Sequence, residues 1–149
     1  MVRWQSTANR WLPVFAWMAL IFVASSDTES GYRGSRILGP IIRWFVPDIA
    51  APDLERCVLW ARKGVHFGTF AVLAALTFRA LAAGSRPVAP RRIAAWSWGI
   101  AVAYAISDEI HQTFVPSRVG SGWDVAIDAF GAAAAVLLLV RIWPRPPDS

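Results

Sequence analysis

Apolar residues gather into four long blocks separated by stretches rich in charge, proline or glycine. The first is "WLPVFAWMALIFVASS", Trp11 to Ser26. The second runs from about Cys57 to Leu81, with "GVHFGTFAVLAALTF" as its uncharged part. The third runs from Ile93 to about Thr113, and the fourth, "DVAIDAFGAAAAVLLLVRIW", from Asp124 to Trp143. Each approaches the length of about 20 residues that an α-helix needs to cross a bilayer. The pattern predicts a single all-α integral membrane domain over 1–149: an antiparallel four-helix transmembrane bundle, with an extra interfacial or re-entrant helical segment between spans one and two.

The extra segment is "RILGPIIRWFVP", Arg36 to Pro47, which is apolar with arginines seven apart, a pattern suited to a membrane surface. Pro40 and Pro47 are expected to limit it to short helical pieces. Residues 82–92 form a short basic link, and Phe114 to Trp123 holds Pro116, Gly120 and Gly122, a tight turn between antiparallel helices. The first block could also serve as a signal peptide, with Arg3 and Arg10 before it and small residues at its end. Three further spans downstream favour a retained helix.

Composition agrees with the blocks. Hydrophobic residues make up 56% of the 149 and charged residues 17%, a balance shifted toward membrane proteins. The net charge of +5 comes from fourteen arginines and one lysine scattered between apolar segments, so it forms no stripe for nucleic acid. A single cysteine, Cys57, rules out an internal disulfide and a multi-cysteine metal site. Arginine density is higher in the short links than in the long one, which predicts cytoplasmic N and C termini. Trp11, Trp60, Trp123 and Trp143 fall near block ends, as an aromatic belt should.

The ionisable residues concentrate at one membrane face. With four antiparallel spans, the end of the first, the start of the second, the end of the third and the start of the fourth lie together. Those ends carry Ser25 and Ser26; Arg62, Lys63 and His66; Ser107, Asp108, Glu109, His111 and Gln112; and Asp124 and Asp128. Both histidines and the only lysine are in that set. Helical spacing brings Asp108 to His111 and Gln112, Lys63 to His66, and Asp124 to Asp128. Ionisable groups inside a span cost several kcal/mol unless paired or wet, so Lys63 or Arg62 is expected to neutralise Asp108, Glu109 or Asp128. Asp124 could instead cap a helix, Arg62 could snorkel to headgroups, and Gly64 and Gly68 form a G-x-x-x-G pair that predicts close helix packing.

Two stretches resemble the signature regions of the VanZ-like membrane proteins. "ARKGVHFGTFAVLAAL" is similar to the family's K-x-x-H-F-x-x-[YF]-x-x-L pattern through Lys63, His66, Phe67, Phe70 and Leu73. "SDEIHQTFVPSRVGSGWDVAIDAFGA" is similar to its longer and more specific S-D-E-x-x-Q-x-F-x-x-x-R-x-x-x-x-x-D-x-x-x-[DN]-x-x-G pattern. It matches through Ser107, Asp108, Glu109, Gln112, Phe114, Arg118, Asp124, Asp128 and Gly131. The resemblance implies a multi-pass protein of the bacterial cell membrane. The family's name-giving member is associated with resistance to teicoplanin, a lipid-tailed glycopeptide, so a role in low-level resistance to lipoglycopeptides is an expectation of the resemblance alone.

Three functions stay open at the level of residues. A membrane-embedded hydrolase or transferase acting on a lipid-linked substrate would use Asp108, Glu109 and His111 as acid–base groups, with Arg62, Lys63 or Arg118 holding an anionic headgroup. A binding protein would use Lys63, His66, Gln112, Arg118, Asp124 and Asp128 to recognise an amphipathic envelope molecule or lipoglycopeptide while the helices hold its acyl chain. A structural network would only fix helix register. A metal-dependent enzyme would draw on Asp108, His111, His66, Asp124 and Asp128, but no recognised metal spacing occurs, and no metal or other cofactor is expected. Membrane lipids are expected partners, and a transporter would need more than one copy of the chain to make room for alternating access.

Overall fold

The structure, a computed structural model, describes residues 7–26, 30–84, 88–116 and 120–143, without the side chains of 30–35. Among them there are five α-helices and no strand: α1 Thr7–Ser26, α2 Ser30–Phe45, α3 Ala51–Ala82, α4 Pro90–Gln112 and α5 Gly122–Ile142. The starts follow local chemistry. Pro52 sits in the first turn of α3 and Pro90 opens α4, positions where a missing N–H costs nothing. Ser121 precedes α5 in an extended conformation that turns the chain into the helix.

Three of these helices, α1, α3 and α5, are long and apolar enough to cross a membrane. The expected third span, α4, falls below that threshold. Trp96, Ser97, Trp98, Gly99 and Tyr104 dilute its apolar character, and Asp108 and Glu109 end it. Most of the apolar surface of the three qualifying helices stays outside the protein core; only 22% of the apolar stretch of α5 is buried. Leu12, Phe15, Leu137 and Leu138 are all exposed, as an apolar solvent requires.

One expectation about the first link is corrected. Pro40 does not break it: α2 runs as one helix of 16 residues with Pro40 inside. It packs against α3 and leaves Ile37, Ile41, Trp44 and Phe45 exposed.

α3 is the hub, in contact with all four other helices. The core is built from Val14 and Ile21 of α1, Phe70, Leu73, Ala74 and Phe78 of α3, Ala101 and Ala105 of α4, and Ala132 and Val136 of α5. Small alanines let the backbones approach, the usual basis of helix association in lipid. Three aromatic side chains tie the helices crosswise through hydrogen bonds to main-chain carbonyls. Trp17 Nε1 donates to Thr69 O at 2.9 Å, Trp98 Nε1 to Ala129 O at 3.0 Å, and Tyr104 Oη to Met18 O at 2.6 Å.

α3 and α5 approach closely at Gly131. A Cβ on Gly131 would collide with the Phe67 carbonyl oxygen, so only glycine permits this crossing. The G-x-x-x-G pair was expected to play that part and does not. Nothing lies within 4 Å of where a Cβ would stand on Gly64 or Gly68, because both are turned away from the neighbouring helices.

Candidate functional site: a buried polar cluster at one end of the helices

The buried stripe of α4 changes character along its length. Ala94, Ser97, Ala101 and Ala105 face the core, and the same stripe continues through Asp108 to Gln112. The helix therefore inserts its last polar turn into the space its alanines define. Asp108, Glu109, Gln112 and Asp128 are all buried. The opposite end of α1 and α3 carries arginine contacts instead: Arg10 donates to Ala83 O, and Arg79 donates to Arg10 O at 3.2 Å.

Asp108 is held by donors from two helices. Ser25 Oγ of α1 donates to its Oδ2 at 2.9 Å, and Gln112 Nε2 donates to the same oxygen at 2.9 Å. Gln112 Nε2 also reaches Glu109 Oε1 at 3.3 Å. Glu109 accepts the Ser121 backbone N–H on Oε2 at 2.7 Å. Gly120 makes that contact sterically available, since a Cβ there would stand 2.7 Å from Glu109 O and from Thr113 Cγ2. The turn into α5 is thus pinned to the end of α4 through a carboxylate.

A second set joins α3 to α5. Lys63 Nζ donates to Asp124 Oδ1 at 2.6 Å, with each side chain about one quarter exposed. Lys63 therefore takes Asp124 rather than Asp108, Glu109 or Asp128, because α3 and α5 cross side by side at this level. Asp124 lies in the first turn of α5 but is not its cap. One turn deeper, His66 Nδ1 lies 3.5 Å from Asp128 Oδ1. That is an ion-pair distance without hydrogen-bond geometry, and neither buried oxygen of Asp128 has a hydrogen-bond partner. His66, Glu109 and Asp128, from three helices, offer ligand atoms that all lie within 4.8 Å of one another.

His111 stands apart from this cluster. Its Nε2 is 3.0 Å from Ser26 Oγ, and its ring lies 4.5 Å from that of Phe22. Ser26 Oγ also donates to Phe22 O at 2.7 Å. Phe22 O and His111 Nε2 both approach the one hydroxyl proton of Ser26, and the imidazole tautomer sets which of Ser26 and His111 donates. No hydrogen bond joins His111 to Asp108 among the described residues, although the two are one helical turn apart. Arg118 lies outside the described residues.

Beside the cluster is a cavity of about 260 Å³. Ile21, Leu38, Val65 and Phe70 form much of its apolar wall, and Ser25, Arg62, His66 and Asp108 supply polar groups. Leu38 comes from α2, so the amphipathic helix closes one side. Arg62 makes no ion pair with a described carboxylate.

Most of the residues expected at a shared face do meet there: Lys63, His66, Asp108, Glu109, Gln112, Asp124 and Asp128, with Ser25 and Ser26. The role of Ser121 went unnoticed, because its contribution is a backbone N–H and carries no side-chain signal. The two glycines flanking Ser121 in "GSG", Gly120 and Gly122, are the available hint.

Helices that leave most of their apolar surface uncovered, around a buried polar cluster at one end, define a helical membrane protein. The chain belongs to the VanZ/LLP1 family, whose model matches residues 10–143. No curated protein and no solved structure matches it.

Proposed function

We propose that this chain is a multi-pass protein of the bacterial cell membrane whose cavity receives the anionic headgroup of an amphipathic envelope molecule. In this reading α4 is a fourth span beside α1, α3 and α5, α2 lies in the membrane interface, and both termini are cytoplasmic. The packing of α4 against α1, α3 and α5 supports its place among the spans. The exposed Ile37, Ile41, Trp44 and Phe45 of α2 suit an interfacial helix.

The observation that carries the reading is the cavity itself. It sets Arg62, a cation without a described carboxylate partner, against an apolar wall open enough for the start of an acyl chain. A guanidinium matches phosphate or carboxylate oxygens in a bidentate geometry. The volume of about 260 Å³ suits a headgroup and a few methylenes, not the body of a glycopeptide. Any effect on lipoglycopeptide susceptibility then comes through the lipid tail or through envelope lipids.

The test is binding by the full-length protein in neutral detergent. Phosphatidylglycerol is titrated against phosphatidylcholine of the same chain length, for wild type and Arg62→Gln. Wild type should prefer the anionic lipid by about tenfold or more, the equivalent of one charged hydrogen bond, and the variant should lose the preference. Equal binding of both lipids by wild type would sink the proposal. Turnover is a second reading, favoured by the adjacent buried carboxylates of Asp108 and Glu109. Mass spectrometry of the lipid after incubation distinguishes it, since binding alone leaves the lipid mass unchanged.

A further inference from the structure

We propose that His66, Glu109 and Asp128 form a binding site for one divalent transition-metal cation of the Zn²⁺ or Mn²⁺ class. Their ligand atoms come from α3, α4 and α5 and lie within 4.8 Å of one another. Proximity of acidic groups alone would not distinguish a metal site from a charged cluster. The second observation is Asp128. It is 1% exposed, and its one polar partner among the described residues is His66, itself a member of the trio, at a long 3.5 Å.

A buried carboxylate held by a single long contact is a costly arrangement, by several kcal/mol, unless something else satisfies it. Imidazolium at His66 does so poorly. A charge-assisted N–H···O bond is about 2.7–2.9 Å long, whereas Nδ1 and Oδ1 stand 3.5 Å apart. A shared ion fits that separation better. Two ligand atoms bonded to one cation at about 2.1 Å and a tetrahedral angle are about 3.4 Å apart. The His66–Asp128 spacing therefore matches one edge of a coordination polyhedron, and the Glu109 carboxylate, within 4.8 Å, closes on the ion by a small side-chain shift.

Charge and outer contacts agree. Two carboxylates and a neutral imidazole carry a charge of −2, which a divalent ion cancels; the neighbouring Lys63–Asp124 pair is neutral by itself, and the nearby Asp108 carboxylate has its own donors in Ser25 and Gln112. Glu109 is oriented by the Ser121 N–H at 2.7 Å and by Gln112 at 3.3 Å, the kind of outer hydrogen bonds that fix a ligating carboxylate. The histidine favours Zn²⁺ or Mn²⁺ over Mg²⁺ or Ca²⁺, which prefer all-oxygen sites. Three protein ligands leave at least one coordination position open, and His66 also lines the cavity. An oxygen of water or of a headgroup would complete the shell from that side. The site adjoins the proposed headgroup cavity but does not rest on it, because metal content is measured with no lipid added.

The experiment uses the full-length protein in detergent, stripped with chelator, reloaded with ZnCl₂ or MnCl₂, desalted and measured by inductively coupled plasma mass spectrometry. Wild type should retain about one ion per chain, and its melting temperature should rise on loading. His66→Ala and Asp128→Asn should each weaken binding at least tenfold, while Cys57→Ala, which removes the exposed thiol and touches none of the three ligands, should keep it. Retention by wild type of less than about one tenth of an ion per chain for both metals overturns the site whatever the variants do. So does unchanged binding in Asp128→Asn. X-ray absorption on the loaded wild type adds a check that needs no variant: a first shell of oxygen with one imidazole supports the site, and a shell without imidazole refutes it.

Discussion

Gly131 of α5 lies directly against the Phe67 carbonyl of α3, and this contact sets Asp128, three residues earlier, beside His66, one residue before Phe67. A packing residue thereby fixes the distance between two ionisable ones. Gly131→Ala should force the helices apart, lowering stability by about 1–3 kcal/mol as overpacking does. Gly64→Ala and Gly68→Ala meet open space and should leave stability unchanged or slightly raised, alanine being the better helix former. Thermal unfolding of the three variants in one detergent checks the contrast.

The Lys63–Asp124 contact lies between the exposed and buried limits for ion pairs. A double-mutant cycle of Lys63→Met and Asp124→Asn should give a coupling energy of about 1–2 kcal/mol, measured by unfolding in mixed micelles. A coupling near zero would mean that the two side chains are held by other groups.

Asp108 organises donors from α1 and α4, so its replacements should rank by what they leave unsatisfied. Asp108→Asn keeps an acceptor oxygen for Ser25 and Gln112. Asp108→Leu leaves the Ser25 hydroxyl and part of the Gln112 amide unpaired, at about 1–3 kcal/mol for each donor left buried. The leucine variant should be the less stable of the two, and Ser25→Ala should offset part of its loss. Denaturation curves of the two variants and the Ser25→Ala/Asp108→Leu double variant test that order.

Cys57 is the only cysteine and is exposed on the early part of α3. The proposed arrangement, with both termini cytoplasmic, puts that part of the chain outside. A membrane-impermeant maleimide should label Cys57 in intact cells, with no gain on lysis. Labelling that appears only after lysis reverses the orientation.

The helices were legible because each apolar block is long and its ends carry proline, glycine or charge. Predicted blocks and observed helices differ by a few residues, save at α3, whose polar first turns precede the apolar block at Cys57. The shared polar face was legible too, since alternating spans bring matching ends together whatever their rotation. Rotation itself was not legible. The sequence offers Lys63 or Arg62 to Asp108, Glu109 or Asp128, whereas Lys63 meets Asp124, and it offers close packing at Gly64 and Gly68, whereas the glycine in close contact is Gly131, because sequence does not state which side of one helix meets which side of another. Pro40 misled for a different reason: a proline bars a helix only where its lost hydrogen bond and ring clash outweigh packing, and α2 tolerates both.

Asp128 is the seventh residue of α5, a helix of 21 residues or about 31 Å, close to the hydrocarbon thickness of about 30 Å. The carboxylate thus sits roughly 9 Å along the helix, within reach of the bilayer boundary rather than at the midplane. Hydrophobic mismatch then becomes a control on the site. Short-chain lipids would bring water down to Asp128 and His66, and long-chain lipids would draw them deeper. The lipid around this protein sets how dry its buried charges are.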